Sequence, residues 1–528
     1  MNSPVEPILN ICRAIREGTA GFRPKVAEYL VGETEPDDFR AYRVAWGIYE
    51  HRQKGEFMIR VRIGAALATA AQLERIAELS DRYGNGVLHV TTRQDIQIHG
   101  VKIQDTPDVL ESLLEVGLSS RGGGGNTVRN VTTCPRAGVC ETSVFDTAPY
   151  AIAVAEYLLA DEASFTLPRK FKVVFSACSS DCALASVADL GFFAHSQDGV
   201  EGFAVYCGGG LGSKPAVGIL IEEFIPAGDV FKVAEAAKRL FDRHGDREHR
   251  NKARLRHVLS RVGRDEFIRL YRAERDEVEF GGLPHAEPEV CDIESRHPSS
   301  PAEPRDISGL ANVSPDKTPG RATIRVEVDN GDIPSRDLLS VASIAERFGQ
   351  GLVRTTQQQD LLIAGVAHDD IAEALRELGA ISIDVSERIA PKIVACTGAS
   401  TCRLGLCDSR GLAAEIRSKL ADSELCEQAE STVIRISGCP NSCGQQNISE
   451  LGLQGRIKRI DGEPKPHYNV LLGGRTVEGD SRLGEVIGCV SAAKIPDMLA
   501  EAFAGELTAE RLADAVRKYG DLNEESTG

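Results

Sequence analysis

A long internal repeat constrains the fold of this 528-residue chain more than any other feature of the sequence. Residues 55–118 contain alternating strand-like and helix-like segments, which read in order FMIRVRIG, TAAQLERIAELSDRYG, VLHVTTRQDIQIHGV and TPDVLESLLEVGL. The same pattern recurs over residues 322–380, where Gly365 corresponds to Gly100 of the first copy. Together with the cysteine-containing region that follows each copy, the repeat unit spans about 200 residues. A unit of this length is far longer than a solenoid repeat and predicts a duplicated pair of domains.

Each copy of the repeat is followed by two pairs of cysteines, and the spacing within each pair is the same in both copies. After the second copy, Cys396 and Cys402 form a C-x5-C pair, and Cys439 and Cys443 form a C-x3-C pair, within turns that contain glycine or proline. Four soft thiolate ligands in this arrangement favour one iron–sulfur cluster. Zinc is the competing metal, although the two spacings together fit a zinc site poorly. The remaining alternative is that all four are small buried apolar side chains.

The second set of cysteines resembles the cluster-binding signature of the siroheme-dependent sulfite and nitrite reductases, and the resemblance extends from about Trp46 to about Lys494. It implies an α+β, internally duplicated fold with two ferredoxin-like βαβα half-domains packed together. Two related α/β cofactor-binding domains complete this fold, with a pseudo-two-fold relation between the copies. The resemblance also implies that the four cysteines bind a 4Fe–4S cluster and that Cys443 bridges the cluster to the siroheme iron.

The repeat also predicts where the domains begin and end. A stretch rich in proline, serine and acidic residues separates the two copies and is typical of an extended linker. The predicted segments are an N-terminal wrapping segment at 1–54, a first half-domain at 55–118, a siroheme- and substrate-binding domain at 119–282, the linker at 283–320, a second half-domain at 321–386, and a cluster domain with C-terminal helices at 387–528.

Basic residues are concentrated in the first copy. In the second copy, neutral residues take the positions of Arg93, His99 and Arg129 and of two lysines. Only Arg325, the counterpart of Arg60, keeps its charge. The first copy therefore supplies an anion-binding pocket, whereas the second supplies a cysteine set without one. The basic residues of the predicted pocket are Arg60, Arg93, Arg129, Lys170 and Lys172.

The resemblance gives these residues roles. Siroheme carries many carboxylates and sulfite is close to a dianion at neutral pH, so both need fixed positive charge. The implied substrate-binding residues are Arg60, Arg129, Lys170 and Lys172. The implied siroheme-binding residues are Thr92, Arg93, Gln97, His99, Gly208, Gly209, Gly210, Asn441 and Cys443.

The second lysine of the pocket, Lys172, is informative about which anion is the substrate. Related nitrite reductases usually carry asparagine there, whereas Lys172 adds a cation that suits the more negative sulfite. The sequence therefore favours a sulfite reductase that makes sulfide in a six-electron reaction, with reduction of nitrite to ammonia, or of both anions, as the alternative. The retained basic residues speak against a precorrin-3B synthase-like monooxygenase, a more distant alternative. A protein that only carries electrons would leave the anion pocket without a purpose.

The cysteines of the first copy depart from the resembled enzymes, in which this half has usually lost them. They either bind a second 4Fe–4S cluster or are remnants that fill the core. These residues are Cys134, Cys140, Cys178 and Cys182.

The composition of the chain argues against some classes of binding partner. A balance of 61 basic against 78 acidic residues gives a net charge of −17, which argues against nucleic acid and anionic membranes. No targeting segment and no stretch of roughly 18 apolar residues is visible, so we expect a cytoplasmic protein. In that compartment the 14 cysteines are expected to be thiols and metal ligands rather than disulfides. No flavin- or nicotinamide-binding motif is visible, so we expect an external electron donor, a ferredoxin.

Overall fold

The computed structural model describes residues 11–278, 303–310, 312–381, 391–421, 425, 429, 432–505 and 507–520. The chain divides into two compact units. The first comprises Met1–Glu50, Gly55–Gly210 and Val217–Val385, and the second comprises His51–Lys54, Leu211–Ala216 and Ser386–Gly528. In the part of the chain that is described, no helix combines the length and apolar character needed to cross a membrane.

Three helices precede the first sheet, where the sequence predicts two short helices and an irregular connection. The ring of Phe22 stacks on Tyr42 with ring centroids 5.5 Å apart and meets Trp46 edge-on at 5.7 Å, so aromatic packing fixes these helices to each other. The helices are α1 (Arg13–Ala20), α2 (Phe22–Leu30) and α3 (Pro36–Ala45).

The first half-domain contains a β-hairpin that the sequence does not predict. The single strand predicted over residues 87–101 is wrong, because the chain turns between Thr91 and Asp95. The Thr91 hydroxyl oxygen accepts from the backbone N–H groups of Arg93 and Asp95 at 3.2 and 3.0 Å, and Gln94 has a φ of 60°. The elements are β1 (Ile48–Glu50), β2 (Phe57–Val61), β3 (Leu67–Thr69), α4 (Ala70–Tyr83), β4 (Val87–Val90), β5 (Ile96–Val101) and α5 (Thr106–Glu115).

The first α/β domain is built on a five-stranded mixed sheet. Its order is β10-β9-β8-β7-β6, in which β6, β7 and β8 are parallel and the β8–β9 and β9–β10 pairs are antiparallel. Phe175 and Phe192 stack on this sheet with ring centroids 4.5 Å apart. The elements are β6 (Thr132–Thr133), α6 (Ala148–Ala160), β7 (Val173–Ser176), β8 (Leu190–Gln197), β9 (Val200–Cys207), β10 (Ile219–Pro226), α7 (Val230–His244), α8 (Leu255–Val262) and α9 (Arg264–Glu277).

The second half-domain repeats the first and exchanges a short strand with it. Its strand β13 pairs with β4 of the first sheet, and β3 of the first half-domain pairs with its strand β14. Helices α4 and α10 pack together, and one hydrophobic core serves both half-domains. The elements are β11 (Val313–Pro315), β12 (Arg321–Val326), β13 (Asp332–Pro334), α10 (Ser335–Phe348), β14 (Leu352–Thr355), β15 (Leu361–Ala367) and α11 (Ile371–Gly379).

The predicted linker falls mostly on residues 279–302 and 311, which lie outside the described residues. Its last part is not an irregular connection, because β11 lies within it and pairs with β12. The other predicted segment boundaries stay predictions.

The second α/β domain has the same sheet topology as the first. Its order is β16-β17-β18-β19-β20, with the first two pairs parallel and the last two antiparallel. The predicted α+β duplication is therefore confirmed. The elements are β16 (Lys392–Ala395), α12 (Gly398–Thr401), α13 (Ser409–Leu420), β17 (Val433–Ser437), β18 (Leu451–Ile460), β19 (Glu463–Leu472), β20 (Glu485–Ser491), α14 (Ile495–Phe503) and α15 (Ala509–Tyr519).

A close backbone approach recurs at the same place in both α/β domains. A β-carbon at Gly191 would collide with the carbonyl oxygen of Ala185, and one at Gly452 would collide with the carbonyl oxygen of Gln446. In each domain, therefore, only glycine lets the short 3-10 turn before the third strand lie against that strand. Since each turn directly follows a C-x3-C loop, the two glycines help to position the cysteines.

We expect Gly191→Ala to lower the free energy of unfolding by about 1–3 kcal/mol, because the added methyl group must displace backbone atoms. Urea unfolding followed by circular dichroism measures the change. The matched control is Gly228→Ala, where a β-carbon would meet nothing within 4 Å. Equal unfolding midpoints for the two variants would contradict the close-approach argument.

Candidate active site and cluster sites

The basic residues predicted for substrate binding are half-buried and lie in one region of the first unit, which we call the cationic pocket. Arg60 lies on β2, Arg129 follows a run of glycines, and Lys170 and Lys172 lie just before β7. The two lysines flank the buried Phe171, whose backbone bridges to Val128. Extended backbone at this point is consistent with the same-side placement that the sequence predicts for the lysines.

Burial and repulsion between the cations lower the pKa values of three basic residues in this region. Burial, together with repulsion from Arg129 and Arg254, lowers the pKa of Arg93 to about 10. Burial lowers the pKa of Lys172 well below its ordinary value, and Arg93, Lys170 and Arg254 lower it further. The pKa of Arg129 is also lowered by burial, and Arg60 and Arg254 lower it as well. Such a site gains stability when an anion binds.

Arg60 is oriented by a short polar chain along β2 and β5. Its Nε lies 3.9 Å from a carboxylate oxygen of Asp95, and its Nη1 donates to the carbonyl oxygen of Gly123 at 3.3 Å. In the amide orientation that satisfies both neighbours, Gln97 accepts from Arg60 Nη2 at 2.9 Å and donates to His99 Nε2 at 3.1 Å. The predicted siroheme-binding residues Gln97 and His99 therefore form one network with a predicted substrate-binding arginine.

Backbone carbonyl groups hold the other arginines in place. Arg93 Nη2 donates to the carbonyl oxygen of Asn130 at 2.7 Å, and Arg129 donates to that of Gly123. Arg62, which the sequence reading did not single out, donates to the carbonyl oxygen of Arg121 at 3.1 Å. Because carbonyl groups carry no formal charge, these contacts position the guanidinium groups without neutralising them.

A tyrosine also lines the cationic pocket and was missed from the sequence. The phenol oxygen of Tyr49 accepts from the backbone N–H of Gly125 at 3.2 Å. Burial alone would raise the pKa of Tyr49, but Arg129 and Arg60 more than offset that effect and the pKa is lowered. The phenol is thus held where an anion would be stabilised.

Asp189 connects the lysine end of the cationic pocket to a second pair of arginines. One of its carboxylate oxygens accepts from the backbone N–H of Lys172 at 3.0 Å. Arg254 Nη2 donates to both carboxylate oxygens, at 3.0 and 2.8 Å. The carbonyl oxygen of Asp189 accepts from the backbone N–H of Gly208, so the same residue anchors the predicted glycine turn.

Arg254 and Arg256 flank the turn Gly208 to Gly210. A β-carbon at Gly210 would lie 2.9 Å from Arg256 Nη1 and 3.0 Å from Arg254 Nη2. Arg256 is only 7% exposed, and its Nε and Nη1 have no hydrogen-bond partner among the described residues. A buried guanidinium group with unpaired donors is costly unless it meets an acidic group. The site therefore fits a macrocycle that carries carboxylates.

The sequence offered only a weak signal for these two arginines. They are two residues apart in the segment ARLR at the start of α8, and Arg254 occupies the position before the helix where serine, threonine or aspartate is usual. A basic residue at that position is a departure that indicates a role other than capping.

The cysteines of the second unit are gathered around its sheet. Cys396 follows β16, Cys402 follows α12, and Cys439 and Cys443 lie in the loop after β17; none of the four forms a disulfide bond. Cys396 Sγ accepts from the backbone N–H of Gly438 at 3.2 Å. This hydrogen bond joins the C-x5-C pair to the loop that carries the C-x3-C pair.

Electrostatic interactions between these thiols show that they are neighbours. Burial, followed by the charge of Cys443, raises the pKa of Cys396 to about 11. Burial also raises the pKa of Cys439; the charges of Cys443 and Cys402 add to this, and hydrogen bonds from Asn441 oppose it. Cys396 and Cys439 therefore resist ionisation beside their neighbouring thiols, which suits a metal centre because iron removes the cost of the thiolate charges. The residues present fit the cluster.

Two further residues of the second unit clarify this site. Cys407 is 2% exposed and its thiol donates to the carbonyl oxygen of Arg456, with a sulfur–oxygen distance of 3.3 Å, so it is a core thiol. Arg52 was missed from the sequence. Its Nη2 donates to the carbonyl oxygen of Gly405 at 2.8 Å, which brings a cation beside the loop after Cys402.

A single metal ion is a poor fit to either cysteine set. Among the described residues, no three His, Cys, Asp or Glu side chains converge in the way that one metal ion requires. In a 4Fe–4S cluster each cysteine binds a different iron, so the four sulfurs surround the cluster instead of a point. The arrangement therefore favours a cluster over zinc.

Comparison with known proteins identifies the family. The model of the nitrite/sulfite reductase ferredoxin-like half domain matches residues 49–116 and 314–381, and that of the nitrite and sulphite reductase 4Fe-4S domain matches residues 124–280. Together these matches cover more than half of the chain.

Whole-length similarity agrees with the matched domains. A ferredoxin–nitrite reductase of Synechococcus elongatus is 32% identical over 478 residues, which are 88% of this chain and 89% of that protein. An assimilatory ferredoxin-dependent nitrite reductase of Haloferax mediterranei is 29% identical over 523 residues, covering 94% of this chain and 88% of that protein.

A solved structure shows the same fold. The NirA protein of Mycobacterium tuberculosis aligns with a TM-score of 0.79 at 23% identity, over 97% of each chain. Duplicated half-domains, cysteine sets and domain matches converge, and the chain belongs to the nitrite and sulfite reductase family, whose cofactors are siroheme and a 4Fe–4S cluster.

Proposed function

We propose that this protein reduces nitrite to ammonium in a six-electron reaction, with a ferredoxin as electron donor. The observation that carries the proposal is the cationic pocket, a set of half-buried cations with lowered pKa values that an anionic substrate would neutralise. The relatives that share about nine-tenths of the chain are named ferredoxin-dependent nitrite reductases, which supports nitrite as the anion.

We assign the cofactor contacts as follows. When bound, siroheme and the cluster would supply the iron that receives the substrate and the electrons that reduce it. Cys396, Cys402, Cys439 and Cys443 would hold the cluster. Asn441 hydrogen-bonds to Cys439 and so holds the ligand loop. The siroheme-binding residues of the first unit are Thr92, Arg93, Gln97, His99, Gly208, Gly209, Gly210, Arg254 and Arg256.

The residues of the cationic pocket have two tasks. Arg60 and Arg129, held by carbonyl groups, bind the oxygens of the anion by charge-assisted hydrogen bonds. Lys172, whose pKa is lowered by burial and by Arg93, is a stronger acid than an ordinary lysine. That property suits a group that gives a proton to an oxygen leaving as water. Lys170 adds charge on the same side of the substrate.

Sulfite is the second candidate substrate, and Lys172 is the observation in its favour. From the sequence alone this lysine favours sulfite, because an added cation suits the more negative anion. The names of the relatives favour nitrite instead. We therefore place nitrite first and expect some turnover of sulfite by the same site.

The direct test is turnover by the holoenzyme with reduced methyl viologen. We expect release of ammonium from nitrite, with a larger kcat/KM than for release of sulfide from sulfite. Reduced ferredoxin is expected to replace the dye. An enzyme that releases sulfide and leaves nitrite unchanged would overturn the proposed substrate while keeping the family.

Lys172→Asn tests the contribution of the second lysine. We expect kcat/KM for sulfite to fall roughly tenfold to a hundredfold more than kcat/KM for nitrite, because a hydrogen bond from a charged donor to the more negative anion is lost. The measurement is steady-state turnover of both anions. Lys252→Asn, at an exposed lysine of the same unit, is the matched control and should leave both values unchanged. Equal losses for the two anions would remove the argument from Lys172.

Arg256→Met tests the assignment of the buried arginine to siroheme. We expect less siroheme per chain, measured by absorption, since a cation that would pair with a carboxylate is removed. The same change should leave unchanged or raise the thermal stability of protein prepared without siroheme, because an unpaired buried charge is also removed. The control is Arg272→Met on the exposed face of α9. Full siroheme content in Arg256→Met would contradict the assignment.

A further inference from the structure

We propose that Cys134, Cys140, Cys178 and Cys182 of the first unit bind a second 4Fe–4S cluster, in addition to the cluster of the second unit. The proposal goes beyond the proposed function and does not depend on which anion is reduced. It rests on how the loops of the first α/β domain are joined, on their backbone conformation, and on two arginines beside them.

Backbone hydrogen bonds bring the two cysteine pairs together. The N–H of Cys134 donates to the carbonyl oxygen of Phe175 at 3.0 Å, which sets Cys134 beside the end of β7. The N–H of Val144 donates to the carbonyl oxygen of Ala177 at 2.9 Å, next to Cys178. Between these contacts the Thr142 hydroxyl lies 3.3 Å from Cys140 Sγ and 3.7 Å from Cys178 Sγ. One hydroxyl thus contacts sulfurs from both pairs.

The C-x3-C loop of the first unit has the backbone conformation of its counterpart in the second unit. Asp181 and Leu184 have φ values of 51° and 68°, and the corresponding Ser442 and Gln445 have values of 57° and 66°. A leucine in the left-handed region costs about 1–3 kcal/mol unless the surroundings enforce it. The first unit therefore keeps a strained loop geometry that, in the second unit, presents cluster ligands.

Two cations lie beside the C-x5-C loop, of which Arg354 is buried and Arg136 is half-buried. Arg354 of β14 is 3% exposed, and its Nη1 donates to the carbonyl oxygen of Ala137 at 2.8 Å and to that of Pro135 at 3.3 Å. Arg136, within the loop, donates to the carbonyl oxygen of Pro315 at 2.7 Å. The Nε groups of both arginines have no hydrogen-bond partner among the described residues. A cluster held by four thiolates is anionic, and these cations suit it.

The four thiols lie near one another, since Cys134 interacts electrostatically with Cys140, Cys178 and Cys182. All four thiols are free, so no disulfide explains their proximity.

The two competing explanations fit less well. Remnants that fill the core should be buried, yet Cys182 is exposed and Cys140 is half-buried. A zinc site would require side chains that converge on one ion, and no such group exists among the described residues.

The test is the metal content of anaerobically purified holoenzyme. We expect about nine irons per siroheme, against about five if only one cluster is bound. Acid-labile sulfide should rise in parallel. The double variant Cys178→Ser/Cys182→Ser is expected to lose about four irons and to keep the siroheme absorption. Cys12→Ser, at a half-buried thiol of the same unit outside the set, is the matched control and should lose none.

Several results would overturn the proposal. They are about five irons per siroheme in the unaltered enzyme, unchanged iron in the double variant, or zinc bound in place of the extra iron. If the double variant does not fold, the ratio in the unaltered enzyme decides the question. Failure of nitrite turnover with about nine irons present would instead count against the proposed substrate and leave the second cluster standing.

Discussion

The cost of burying positive charge is the constraint on which the active-site region depends. A guanidinium or ammonium group removed from water is destabilising unless it is paired or hydrogen-bonded. In this protein most of the acceptors that stabilise the cations are neutral, since Arg93 and Arg129 donate to backbone carbonyl groups. Two carboxylates, Asp95 and Asp189, lie among the cations and compensate part of the charge. The remaining positive potential is what an anionic ligand would satisfy.

Duplication lets the chain separate tasks that would conflict in one domain. Both α/β domains have the same strand order and the same close approach of a turn to a glycine, at Gly191 and Gly452. They differ in charge, because the basic residues of the first copy are neutral in the second, with the single exception of Arg325 at the position of Arg60. A shared scaffold thus carries a set of basic residues in the first copy and a set of four spaced cysteines in each copy. The exchanged strands β3 and β13 tie the two half-domains into one core.

The parts of the structure that the sequence predicted are those with long or repeated patterns. The helices α4 and α10 and the cysteine spacings recur in both copies, so each instance supports the other. The hairpin turn from Thr91 to Asp95 was missed, because its polar residues continue the alternation of a strand. The exchanged strands span only three residues each, too few for any periodicity to show.

The site was predicted in the same uneven way. Arg93, Arg129 and the two lysines stand out through contrast with the second copy, but this contrast is not informative about Arg254 and Arg256. These two lie far along the chain from the other cations, and only the fold brings them to the glycine turn. Asp189 was also missed, since a lone aspartate before a strand has no distinguishing context. Residues that act through tertiary pairing are therefore the ones that need a structure.

Strain and charge together support our proposal that the cysteine loop of the first unit binds a cluster. A loop without a ligand would gain stability by replacing Leu184, at a φ of 68°, with glycine, and by losing the unpaired Nε donor of Arg354. Both features are costly to the protein alone, and both become favourable when an anionic group is held by the surrounding thiols. The same logic applies to Arg256 at the glycine turn. In this fold, we infer that buried hydrogen-bond donors without a protein partner indicate where an anionic ligand binds.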